Sequence, residues 1–191
     1  MKTNFPRTLA LAAVAAVLAA TTLIVHEPAR AGEPSAPKPD PAIQRLLTLA
    51  GTFDGDASLT MDGKTTRFRL HHENREVSAG FGLSAHETAE LPGLGHYEAE
   101  NLFGYDAGRG QIHLFSVTND PNTHDHKGTW TSSNTLQLRY EGLLDGRKYV
   151  EVIPMTVVGP DEYRFKSIAT LDGKPYQTLT ADMKRTAMSA R

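Results

Sequence analysis

The chain has 191 residues with 20 Lys and Arg against 22 Asp and Glu, a formal net charge of −2, and no cysteine. The missing cysteines exclude disulfides, thiolate catalysis, iron–sulfur clusters and cysteine zinc sites. The near-balanced charge argues against a general nucleic-acid surface.

Residues 1–31 read as a secretory signal peptide. Lys2 and Arg7 form a basic start, and the 17 residues Leu9 to Val25 carry no charge. Pro28 precedes Ala29-Arg30-Ala31, a small-x-small site for cleavage after Ala31. The alternative is an uncleaved anchor, for which the alanine-rich run stands at the short end of the spanning range. Export without disulfides points to a bacterial periplasm or a secreted bacterial product. Beyond the signal no stretch is apolar enough to span a membrane again.

Residues 32–41, with Pro34, Pro37, Pro39 and Pro41, read as a linker. Residues 42–185 are expected to form one domain and 186–191 a flexible tail. From Pro41 to Ala50 the apolar residues Ile43, Leu46, Leu47 and Ala50 follow a helical period, with Asp40 as cap and Pro41 in the first turn. After Gly51 the period changes to two. Strands are expected at 52–61, 65–73, 76–79, 82–90, 97–105, 111–118, 127–131, 135–141, 148–154, 162–171 and 174–184. Asp62-Gly63, Asp145-Gly146 and Asp172-Gly173 mark tight hairpins. No crossover helix separates the strands, which argues against a parallel sheet and for a sandwich or closed barrel. Meandering hairpins favour an all-β antiparallel barrel of about 8–10 strands, with the short N-terminal helix covering one end.

The segment Leu46-Leu47-Thr48-Leu49-Ala50-Gly51-Thr52-Phe53-Asp54-Gly55-Asp56-Ala57 resembles the opening of DUF1579-like and related calycin-type (lipocalin-like) small barrels. In those a short helix ends in Gly-x-Trp/Phe-x-Gly-x at the first strand. Gly104-Tyr105-Asp106 and Gly128-Thr129-Trp130 are similar to later features of such barrels, and Phe53 stands where Trp is commoner. The resemblance implies the fold over about residues 46–184. Some barrels of this general shape hold haem through a histidine near the chain end. Here the last histidine is His126, so His72 and His113 are the strand candidates for haem.

A small barrel offers an interior pocket for a small, largely apolar ligand. Alternation places Phe68, Leu70 and His72 on one face, as it does Leu138 with Tyr140. With Phe103, Leu114, Trp130 and Phe165 these are the expected ligand-pocket residues. A metal is the other cofactor the histidines allow, at Thr123-His124-Asp125-His126. If that segment is a strand, His124 and His126 share a face and reach one ion; if it is a loop, their direction is free. His124, His126 and Asp125 are the metal candidates. His96 with Glu98, and Glu98 with Glu100, form further i, i+2 pairs. His86 and Glu87 are adjacent and face opposite sides of a regular strand. No Gly-x-Ser-x-Gly, His-Glu-x-x-His or phosphate-cradling loop is present, so no motif assigns catalysis. Three readings follow: a carrier of a small apolar molecule, a small hydrolase or isomerase using His and Glu, or a filled barrel acting as a structural or interaction module. A His and a carboxylate within about 3 Å in a cleft would favour the enzyme.

Overall fold

The computed structural model describes residues 37–121 and 123–186. The signal, most of the linker and the tail beyond Thr186 lie outside the described residues.

One helix precedes ten strands. Helix α1 spans Pro41–Leu47, and its first turn is fixed by Asp40, whose side chain accepts the Ala42 N–H at 2.7 Å. Thr48 closes it by donating its hydroxyl to the Arg45 carbonyl at 2.7 Å. Gly51 then leaves at φ +131°, a conformation that other residues rarely adopt. The strands are β1 (Gly51–Met61), β2 (Lys64–Val77), β3 (Gly82–Leu91), β4 (Gly95–Asp106), β5 (Gln111–Thr118), β6 (Thr123–Trp130), β7 (Thr135–Leu144), β8 (Arg147–Gly159), β9 (Glu162–Leu171) and β10 (Lys174–Arg185).

Each strand pairs antiparallel with the next, and β1 pairs antiparallel with β10, so the sheet closes on itself. Asp62-Gly63, Asp145-Gly146 and Asp172-Gly173 all carry two successive positive φ angles. That geometry matches the right-handed twist of the flanking strands. Closure leaves no unpaired edge, which settles sandwich against barrel in favour of the barrel.

Two segments differ from the sequence expectation. Glu76 and Val77 continue β2, and a 3-10 turn at Ser78–Gly80 leads into β3, so 76–79 is not a separate strand. Strand β6 begins at Thr123, four residues earlier than expected, which places both histidines of the His-Asp-His segment on a strand.

The main core lies at the α1 end. Ile43, Leu46, Leu49, Phe53, Leu70, Leu83, Ile112, Leu136, Leu138 and Met183 are each at most 2% exposed. The helix seats Ile43 and Leu46 on this core as the cover of the barrel. Gly55 is required there, because a Cβ would come within 2.5 Å of the Asp182 carbonyl oxygen on β10. Phe53 meets Tyr163 edge-on at 5.0 Å between centroids and closes the floor.

Candidate functional site: a buried His/His/Glu cluster

Beyond this floor the interior opens into a cavity of about 470 Å³. It runs from Leu46 and Leu49 to Met61, Leu91 and Leu144 at the far ends of the strands. Its wall is apolar along Leu59, Phe68, Leu70, Leu83 and Leu179 and polar along an arc contributed by β2 to β9.

On β6 the alternation sends His124 and His126 inward. Their neighbour Asp125 faces out, where it pairs with His113 Nδ1 at 3.0 Å and Lys127 Nζ at 3.2 Å. The carboxylate that meets the two imidazoles comes from β8. Glu151 Oε2 lies 2.9 Å from His126 Nε2 and 3.4 Å from His124 Nδ1. The three atoms all lie within 4.8 Å of one another. Glu151 Oε1 accepts a very short hydrogen bond from the Ser167 hydroxyl on β9. The His124 ring stacks on Tyr140 of β7, with centroids 4.1 Å apart and planes 18° from parallel. That stacking fixes its direction toward the carboxylate.

The side chains of His126 and Glu151 are 4% and 10% exposed, that of His124 22%, so the cluster is reached past His124. Burial alone would push the Glu151 carboxyl up. Hydrogen bonds from His124, His126 and Ser167, with the charge on His126, outweigh it and hold the group well below the usual carboxylate range. Glu151 is therefore an ionised acceptor. Burial first, and Glu151 second, raise the Tyr149 phenol, keeping it a neutral neighbour.

Two imidazoles and a carboxylate suit a divalent transition metal such as zinc. Metal–ligand bonds of about 2.0–2.1 Å in a tetrahedron set ligand atoms about 3.3 Å apart. The two edges to Glu151, at 2.9 and 3.4 Å, bracket that spacing, and the edge between the imidazoles is within 4.8 Å. His126 Nδ1 is buried without a partner. A neutral imidazole that binds a metal through Nε2 carries its proton on Nδ1, here a buried N–H without an acceptor, at a cost of about 1–3 kcal/mol.

A second polar group lies on β2–β4. His72 and Glu87 are opposite each other across β2 and β3, with His72 Nε2 3.3 Å from Glu87 Oε2. His72 Nδ1 hydrogen-bonds the Tyr163 hydroxyl at 2.5 Å, and Asn101 Nδ2 donates to Glu87 Oε2 at 3.3 Å. His86, next in sequence, faces out and pairs with Glu100 at 2.8 Å.

Of the residues expected to form the pocket, Phe68, Leu70, His72, Phe103, Leu114, Leu138 and Phe165 line the cavity. Tyr140 supports His124 from the side. Trp130 packs under α1, donating its indole N–H to the Ala42 carbonyl at 2.9 Å. His113 points out of the barrel toward Asp125, away from the interior where a haem would lie. Glu98 and Glu100 lie on the outer face beside His86 and His96. The sequence reading missed Glu151 and Ser167, which lie 25 and 41 positions beyond His126 in the chain.

No protein-family profile matches this chain, and no curated protein matches it. Among solved structures the chain is similar to Rv2717c from M. tuberculosis, with a TM-score of 0.62 at 16% sequence identity. The match covers 78% of this chain and 100% of that one. At that identity the likeness is one of fold alone. The features of this chain are its own: a closed ten-stranded antiparallel barrel with a short N-terminal helix and a buried His/His/Glu cluster on its inner wall.

Proposed function

We propose that this protein is a small hydrolase or isomerase that works on a molecule held in the barrel, through a divalent metal ion bound by His124, His126 and Glu151. The observation that carries this reading is the convergence of Nδ1, Nε2 and Oε2 on one point of the cavity wall, 2.9 and 3.4 Å apart along its two closest edges. Such an ion supplies Lewis acidity and lowers the pKa of a bound water. The chain's own residues hold the site: Ser167 fixes the Glu151 carboxylate, and Tyr140 fixes the His124 ring.

Metal-stripped protein titrated calorimetrically with zinc chloride is expected to bind one equivalent. Glu151→Gln and His126→Gln should each weaken binding by more than about 100-fold, since loss of a supporting shell alone costs about 10–100-fold. Zinc-loaded protein is then assayed against a series of nitrophenyl acyl esters, with the same variants as controls. Zinc binding no tighter in the wild type than in the variants would sink the metal reading.

Simple carriage of an apolar ligand is the second reading, favoured by the Leu and Phe wall on β1, β2 and β10. It predicts ligand uptake without turnover in the same assays. Export from a bacterial cell belongs to the proposal as well, supported by the Lys2–Ala31 pattern. So does kinship with calycin-type barrels, supported by the Leu46–Ala57 segment and the barrel closure.

A further inference from the structure

Apart from its titratable histidines, the cavity's charges are of one kind. Glu87, Glu151 and Asp120 line it, together with three histidines, and no Lys or Arg does so among the described residues. A carboxylate or phosphate entering this space would meet buried acidic groups with no fixed cation to receive it, and desolvation would add to the repulsion.

The two deeply placed carboxylates differ in how well they are satisfied. Glu151 is engaged on both oxygens by Ser167, His124 and His126. Glu87, whose side chain is 11% exposed, has far less. Its Oε2 receives one long hydrogen bond from Asn101, and its Oε1 is hydrogen-bonded to no donor among the described residues. His72 Nε2 stands 3.3 Å away without hydrogen-bond alignment and is itself a buried nitrogen with no partner. His72 is 6% exposed and is held in place by Tyr163 on Nδ1 and by the Phe165 ring stacked at 6.0 Å. Buried polar groups are almost always paired. Glu87 Oε1, unlike His72 Nε2, is not sealed off: it opens on the cavity opposite the apolar wall, as a carboxylate oxygen that a ligand group with hydrogen-bond donors and a positive charge can meet.

We propose that the cavity selects a molecule with a protonated amine on an apolar body, with Glu87 as counter-ion and the β1–β2–β10 wall holding the body. An ammonium has three donors. Two of them can be taken by Glu87 Oε1 and Glu87 Oε2. The aromatic rings of Tyr97, Tyr163 and Phe165 on the same cavity wall suit a cation better than an anion. This names the ligand class for the same cavity and rests on the reading that it takes a small molecule, but not on the metal.

The test compares n-octylamine, n-octanol and n-octanoate at neutral pH, by displacement of Nile red and by calorimetry, on the full folded protein. Octylamine is expected to bind at least about ten-fold more tightly than octanoate, the effect of about 1.4 kcal/mol. Glu87→Gln should abolish that preference and leave octanol binding within about two-fold, which also shows that the variant is folded. Glu151→Gln should keep the amine preference while losing zinc, so failure of the metal centre and failure of this proposal read out separately. Octanoate binding as tightly as octylamine, a preference that survives Glu87→Gln, or no binding of any of the three would each overturn it.

Discussion

At the scale of single residues, the seven histidines after residue 31 divide by strand face. His71, His86, His96 and His113 face out, each within 3.0 Å of a carboxylate: Asp54, Glu100, Glu90 and Asp125. His72, His124 and His126 face in, against Glu87 or Glu151. The same pairing of imidazole with carboxylate thus serves a solvated surface, where it is worth little, and a buried wall, where it defines a site. Two buried phenols follow from that wall. Burial, with Glu87 adding to it, keeps the Tyr163 proton on well above the ordinary range, and burial with Glu87, Asp120 and Glu151 does the same for Tyr97. In the unfolded chain these phenols ionise near pH ~10. Above that pH the folded state holds more protons than the unfolded one, so stability falls as pH rises. An ultraviolet titration should find at least two of the six tyrosines silent until the barrel unfolds. Smooth, reversible ionisation of all six in the folded protein would contradict it.

At the scale of elements, β6 explains both why the site forms and why the sequence only half revealed it. Gly128 passes so close to β7 that a Cβ would lie 1.8 Å from the Gln137 carbonyl oxygen and 2.8 Å from Leu138 Cα. Those are backbone atoms that cannot step aside. Gly128→Ala is therefore expected to cost more than about 4 kcal/mol, or to prevent folding. Gly104→Ala on β4, where nothing lies within 4 Å, should stay within about 1 kcal/mol of the wild type. Chemical denaturation of both variants makes the comparison, and equal effects would refute the close-approach argument. The start of β6 was illegible for a physical reason: its inward residues are histidines, so the apolar alternation that announces a strand is missing from Thr123 to His126. Adjacency in sequence favoured Asp125 as a third ligand, yet a period of two puts neighbours on opposite faces. On β8, Val150 and Val152 face out while Tyr149 and Ile153 face in, so neither face reads as polar and Glu151 carries no local mark. Where one face was clearly apolar, as for Phe68 and Leu70 with His72, or Leu136 with Leu138, side-chain direction was legible. The Asp-Gly turns fixed the hairpins for the same reason, since their chemistry is local.

At the scale of the whole molecule, barrel closure sets what the interior can be. Ten tilted strands enclose more space than side chains of ordinary size fill. Here α1, Phe53 and the leucines pack one end, and the remainder stays open as the cavity. The length of the strand meander was readable from turn spacing, whereas the pairing of β1 with β10 joins residues more than a hundred positions apart and leaves no local trace. That pairing also brings the two ends of the sheet together. Phe53 is opposite Arg185, and the Thr186 N–H donates to the Thr52 carbonyl at 2.9 Å. The Arg185 guanidinium reaches the Ala50 carbonyl at 2.7 Å. Around the barrel, then, no strand holds a privileged first or last place, and the order of the meander is a ring cut at one arbitrary point. A permuted chain that joins Thr186 to Pro37 through a glycine linker, so that helix α1 is kept, and begins instead at Gly146 should fold to the same barrel and keep its zinc isotherm. Its failure to do so would mean that the present cut, between β10 and helix α1, directs assembly as well.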